Sequence, residues 1–217
     1  MEPTEHNRRA FDERHRRRVD AGPGHALPTQ VRQALSRLEG KRVLDLGCGT
    51  GEGAAELAEL GAVVTGLDPS EDALEAARAR WPAILWVHGD VDALPPELRR
   101  GRFDLVYAGE WVLPTIRDLD AWARGVVDAL RAGGELLVFD EHPVAACVDG
   151  LMHWRESYFD ERRSPDERHW RLGQVATAAA RAGLRVLALE EYPARAHNPR
   201  RHDARLPAEF LVYARKE

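Results

Sequence analysis

The residues best suited to chemistry in this chain gather at Val43-Leu44-Asp45-Leu46-Gly47-Cys48-Gly49-Thr50-Gly51, where an apolar run meets three alternating glycines. Glycine tolerates positive φ and lets backbone approach a ligand closely, so three of them in alternation exceed what a tight turn alone requires. About 20 residues on, where a dinucleotide-binding fold keeps the acid that holds ribose, the chain reads Gly66-Leu67-Asp68-Pro69-Ser70. Asp68 therefore suits a dinucleotide by spacing. Asp45 argues for something else, because an anion two residues before the first glycine repels a pyrophosphate and attracts an ammonium group.

These residues need elements to hold them. Apolar runs that read as strands recur at 42–45, 63–67, 84–88, 103–107, 135–139, 185–190 and 210–214, and helical patterns at 53–60, 71–80 and 119–131 separate the early ones. Such alternation predicts an α/β fold with a doubly wound, mainly parallel sheet covered on both faces. Ser70 is placed to cap a helix that opens with Glu71 and Asp72, and Gly183 to end one over 171–182. Two helices are expected before the sheet, a charged one over 4–20 and an amphipathic one over 29–38, with Gly22-Pro23-Gly24 between them. The longest stretch outside the alternation is 144–168, and insertions of that length are usually functional or mobile.

At the glycine turn the sequence resembles the class I S-adenosylmethionine-dependent methyltransferases, whose first motif is an acid followed by Gly-x-Gly-x-Gly, matched by Asp45, Gly47, Gly49 and Gly51. Four further stretches match in the family's order: Asp68 after the second strand, His88-Gly89-Asp90-Val91-Asp92-Ala93-Leu94-Pro95 after the third, Phe103 to Gly109 as the fourth strand, and Leu130 to Leu137 as the turn into the fifth. The resemblance implies a Rossmann-like seven-stranded sheet with its last strand antiparallel, and S-adenosyl-L-methionine as cofactor with S-adenosyl-L-homocysteine as product. It also implies cofactor contacts from Asp45, Gly47, Cys48, Gly49, Gly51, Asp68, Pro69, Asp90, Val91 and Gly109. In that assignment Asp45 lies at the amino-acid end of the cofactor, Asp68 takes both ribose hydroxyls, Asp90 accepts from the adenine amino group and the Val91 N–H reaches a ring nitrogen.

Ligands of open α/β sheets gather beyond the C-terminal strand ends, which directs attention to Glu110 and Trp111 after the fourth strand and to Asp140, Glu141 and His142 after the fifth. His142 is the candidate general base for a hydroxyl acceptor, since its reference pKa of about 6.5 suits proton transfer near neutrality. Glu110 is the second candidate catalytic residue, and Trp111, Glu141, Phe11 and Tyr158 are candidates for binding the acceptor. Asp140 and Glu141 could face a cationic amine or simply be solvated strand-end acids. Segments 1–28 and 144–168 mix charge with aromatic residues and are expected to form a lid, so that His153 or His169 could take over the base role if either lined the closed site. Asn7-Arg8-Arg9-Ala10-Phe11-Asp12 and Glu141-His142-Pro143 are also similar to a group of actinobacterial-type methyltransferases, with Phe11 standing where tryptophan is common.

Composition limits the classes available. The chain has 217 residues, a net charge of -5 and 44% hydrophobic residues, so a single domain is expected: helices or lid over 1–40, the cofactor core over 41–142, a lid or acceptor-binding insertion over 143–170, and a last helix with strands over 171–217. No apolar run reaches the roughly 20 residues of a membrane span and the first residues are charged, which predicts a cytoplasmic location and no membrane partner. The acidic balance argues against a nucleic-acid partner. Cys48 and Cys147 are the only cysteines and lack metal-ligand spacing, so no metal is expected. The expected activity is methyl transfer to a small-molecule acceptor, at oxygen or nitrogen. Cofactor-dependent regulation without turnover and an NAD(P)-dependent reductase are the alternatives, and the sequence gives no oligomeric state.

Overall fold

The computed structural model describes residues 27–35, 37–109, 111–148, 153–160, 162–164, 167–193 and 205–217. The charged helix expected over 4–20 lies outside the described residues. The amphipathic one appears as α1 (Thr29–Ala34), shorter than its apolar pattern.

Seven strands form one sheet in the order β3-β2-β1-β4-β5-β9-β8. These are β1 (Arg42–Leu46), β2 (Val63–Asp68), β3 (Leu85–His88), β4 (Phe103–Ala108), β5 (Leu130–Glu141), β8 (Leu184–Pro193) and β9 (Pro207–Lys216). Neighbours from β3 through β5 pair in parallel, whereas β9 runs antiparallel to both β5 and β8. The expected single reversed strand is therefore present. A separate hairpin, β6 (Arg162–Ser164) with β7 (Glu167–Arg168), stands in the insertion after β5.

The central strands β1, β2, β4 and β5 are largely buried on both faces because helices cover both, whereas β8 at the sheet edge is mostly exposed. Alternate residues of β1 show the division: Val43 joins a core built with Val31 of α1, Ala54 and Leu57 of α2 (Glu52–Glu59) and Leu74 and Ala77 of α3 (Glu71–Arg80). Leu44 and Leu46 join the opposite core, with Trp122 and Val126 of α4 (Leu119–Ala129) and Val175 and Ala179 of α6 (Leu172–Arg181). Fully burying one such side chain is worth about 1.5–3 kcal/mol, so the two cores fix which face each strand residue takes.

Helix ends follow the local chemistry. Ser70 Oγ accepts the Ala73 N–H at 3.3 Å and Asp118 Oδ1 accepts the Ala121 N–H at 2.9 Å, each satisfying a donor that the first turn leaves unpaired. Gly183 adopts φ +96 just past α6. The helix expected to reach Arg131 stops at Ala129, and β5 starts at once with Leu130 paired to Phe103. Between that pair and Leu105↔Glu135 the ladder shifts, and the chain loops out through Gly133 at φ +71.

A candidate cofactor and acceptor site

The strand order reverses between β1 and β4, so a crevice opens beyond their C-terminal ends. There the turn after β1 places Gly47, Gly49 and Gly51 at φ +69, +55 and +88, a region costly to residues with a Cβ. Each glycine of the area has its own surroundings. A Cβ on Gly49 would meet nothing within 4 Å, whereas one on Gly51 would come within 2.5 Å of the Trp86 ring, and one on Gly66 within 2.6 Å of that ring and 2.8 Å of Cys48 Sγ. Gly49 thus faces open space, while Gly51 and Gly66 allow the indole of Trp86 to form the floor of the turn.

Asp68 holds this turn from the neighbouring strand. Its Oδ2 accepts the Gly49 N–H at 2.8 Å and its Oδ1 the Ser70 N–H at 2.9 Å, with the side chain fully buried. Leu67 C=O accepts N–H bonds from Gly47 and Cys48. Asp45 differs: it is 4% exposed, and among the described residues no hydrogen bond reaches its carboxylate. Burial first, and the Asp68 charge second, push its pKa from 3.8 up to about 8. The same causes, joined by Asp45, raise the Cys48 thiol and keep it protonated and unreactive.

The third strand end carries Asp90, 9% exposed, whose Oδ1 accepts the Asp92 N–H at 2.9 Å. Val91 is fully buried, and Gly89 N–H donates to Asp68 C=O at 3.1 Å, which ties this turn to the one before. Pro69 C=O lies 3.1 Å from His88 Nε2. After β4, Gly109 packs beside Tyr107, whose Oη would stand 3.0 Å from an added Cβ.

The post-β4 segment shows what the sequence concealed about Asp140. This carboxylate is 1% exposed and accepts N–H bonds from Trp111 at 3.0 Å, Leu113 at 3.1 Å and Glu141 at 2.7 Å. It is a buried brace rather than a solvated strand-end acid, and the N–H groups occupy the carboxylate expected to meet an amine. What it braces is strained: Trp111 has φ +75, the one positive value at a non-glycine among the described residues. Glu110 and Phe11 lie outside the described residues.

Beside Asp140 a recess is lined by Leu113, Pro114, Glu141, His142, Pro143, Arg168, His169, Trp170 and Phe210. His142 precedes the short helix α5 (Pro143–Ala146), and its Nδ1 accepts the Val144 N–H at 3.1 Å. Its Nε2 sits 2.9 Å from Glu191 Oε1, with the carboxylate off the ring N–H direction, so the contact becomes an ion pair only when the ring is protonated. Burial, aided by His169 and opposed by Glu191, holds the imidazole below its usual pKa of 6.5. His169 is 4% exposed, with its Nε2 3.9 Å from Cys147 Sγ and its ring 5.8 Å, edge to face, from Tyr158. Tyr158 thereby reaches a histidine of the recess.

The glycine turn, Asp45, Asp68 and Asp90 therefore lie together at the ends of β1, β2 and β3, while Glu141 and His142 line the recess and Tyr158 packs on His169 at its wall. Sequence reasoning missed Trp86 as the floor and gave no role to Arg117, which binds Asp92. Among the described residues no three His, Cys, Asp or Glu side chains gather as a metal site, and no helix is long and apolar enough to cross a membrane.

Comparison with known proteins fits this geometry. The family model described as a methyltransferase domain matches residues 43–134. A ubiquinone biosynthesis O-methyltransferase of Xanthomonas axonopodis is 30% identical over 207 residues, covering 89% of this chain and 85% of its own. The chain belongs to the class I S-adenosylmethionine-dependent methyltransferases. Its sheet agrees with that of a crystallised S-adenosylmethionine-dependent methyltransferase from Mesorhizobium loti, at 28% identity and TM-score 0.72 over 86% of this chain and 96% of that one. An uncharacterised methyltransferase of Synechocystis is 36% identical over 119 residues, 54% of each chain, so the methyltransferase spans about half the length of some curated relatives that it matches.

The cofactor of this methyltransferase is S-adenosylmethionine, and the nicotinamide reading of the same turn falls away. The residues present fit that group: open space over Gly49 admits a ligand against the backbone, and the Asp45 carboxylate, which receives no hydrogen bond from the described residues, suits an ammonium group.

Proposed function

We propose that this methyltransferase delivers its methyl group to an oxygen of a small-molecule acceptor seated in the recess beside β5. The observation that carries the reading is the pair of buried histidines, His142 and His169, at the wall of that recess. A hydroxyl must lose a proton to become a good nucleophile, and a neutral imidazole is the side chain that accepts one near pH 7. The Xanthomonas relative is an O-methyltransferase, which is consistent with this.

Bound S-adenosylmethionine supplies a methyl group activated by the sulfonium charge for in-line displacement. The chain's part is to bind and orient. In the proposed assignment Asp45 pairs with the ammonium end, the Gly47, Cys48, Gly49 and Gly51 backbone lies along the amino-acid portion, Asp68 and Pro69 meet the ribose, Asp90 and Val91 meet the adenine, and Gly109 borders the acceptor side. Positioning alone contributes on the order of 7–11 kcal/mol in well-oriented reactions. Trp111, Glu141 and Tyr158 border the acceptor.

His142 accepts the proton if its Nδ1 exchanges the Val144 N–H for the acceptor hydroxyl; in the neutral ring Nε2 carries the proton on the Glu191 side. His169 is the second imidazole at the same wall, and its burial beside His142 favours it as the alternative base. Methyl-labelled S-adenosylmethionine incubated with a panel of hydroxy and amino compounds should place label on oxygen. Loss of whichever histidine is the base should lower that turnover by about 100-fold or more. Label confined to amines, or turnover untouched by both His142→Ala and His169→Ala, would contradict the assignment.

A further inference from the structure

Asp90 and Asp92 present two carboxylates in one turn, each side chain only 9% exposed. Such a pair repels itself unless a cation lies beside it. The cation comes from 25 residues away, in the segment that follows β4. Arg117 donates its backbone N–H to Asp92 Oδ1 at 3.0 Å and its Nε–H to Asp92 Oδ2 at 2.7 Å, so both oxygens of Asp92 are taken. Its Nη2 lies 3.9 Å from Asp90 Oδ2, close enough to stabilise the charge and too long for a hydrogen bond. The Asp92 N–H in turn holds Asp90 Oδ1 at 2.9 Å.

We infer that Arg117 is a positioning residue that fixes the orientation of the Asp90 carboxylate and thereby sets the preference for an adenine base. The inference rests on the reading of Asp90 as the adenine-binding acid. A carboxylate accepts from the 6-amino group of adenine but meets the 6-oxo group of hypoxanthine acceptor to acceptor, so discrimination depends on the orientation in which Asp90 is held. Asp92 has no part in that contact; its use is to anchor the guanidinium, and the fork geometry of arginine lets one side chain hold one acid while lying beside the other.

The test titrates S-adenosylhomocysteine and S-inosylhomocysteine into wild type, Arg117→Ala and Arg117→Lys by calorimetry, after thermal melts confirm folding. Wild type should prefer the adenosyl ligand. Arg117→Ala should lose affinity for it by about tenfold, the scale of one charge-assisted contact, with much less change for the inosyl ligand, so that the ratio falls. Arg117→Lys, which keeps the charge but not the guanidinium fork, should fall between. Asp68→Asn serves as control, because a ribose contact weakens both ligands alike and leaves the ratio unchanged. An unaltered ratio in Arg117→Ala, or equal losses for both ligands, would make Arg117 a structural brace only and overturn the inference. If Arg117→Ala fails to fold, an unaltered ratio in Arg117→Lys overturns it. Failure of wild type to bind either ligand would count against the crevice as cofactor site, and binding without preference would remove the adenine reading of Asp90 together with the inference built on it.

Discussion

Asp45 is nearly dry, and its carboxylate receives no hydrogen bond from the described residues. Its folded pKa of about 8 lies above the ordinary 3.8, so between these values the folded chain binds a proton that the unfolded chain has released. The stabilisation is complete below pH 3.8 and is lost as pH rises through about 8. Asp45→Asn should therefore flatten the fall of melting temperature between pH 5 and pH 8 and raise it at pH 8 by at least about 2–4 °C, the equivalent of 1 kcal/mol in a chain of this size. Binding an ammonium group needs the ionised acid, so wild-type affinity for S-adenosylhomocysteine should fall toward tenfold per unit of pH below 7. Parallel melting curves for the two proteins, or an affinity flat from pH 6 to pH 8, would remove Asp45 from this role. The acid and the glycines were legible in the sequence because their chemistry is local. The reason for Gly51 was not, since Trp86 reaches it from another strand.

Among elements, the turn after β4 depends on a partner in β5. Asp140 supplies acceptors to the Trp111 and Leu113 N–H groups while Trp111 sits at φ +75. Asp140→Ala leaves three donors, the Trp111, Leu113 and Glu141 N–H groups, without that carboxylate and a strained residue without its restraint, and breaking a buried charged network of this kind costs about 3–5 kcal/mol. Urea denaturation should show a loss of that order, and a change under about 0.5 kcal/mol, the usual range of a surface substitution, would contradict the brace. The seven strand runs and the helix caps could be read ahead, because apolar runs are local and Ser70 and Gly183 act within a few residues of where they stand. The 143–170 insertion could not, since its described parts are short: α5, a hairpin and a single bridge between Val148 and Trp154. Apolar periodicity has no purchase on pieces of that length.

At the scale of the molecule, the segment 111–117 is a strap joining the two halves of the site. Asp140 holds its start, Ile116 C=O accepts the Trp170 Nε1–H at 2.8 Å beside the recess, and Arg117 closes on Asp92 at the third strand end. The order of motifs in the sequence forecast the crevice, but these ties span 25 to 54 residues and carry no local signal. The central claim is that S-adenosylmethionine is held at the ends of β1, β2 and β3 with Asp68 as the ribose acid. Calorimetric titration of S-adenosylhomocysteine into wild type and Asp68→Asn, with melts to confirm folding, tests it most directly. One-to-one binding in wild type and an affinity about 10- to 150-fold weaker in the variant, the range of one hydrogen bond to a charged group, is the predicted result; equal affinities in two folded proteins, or no binding by wild type, would contradict it.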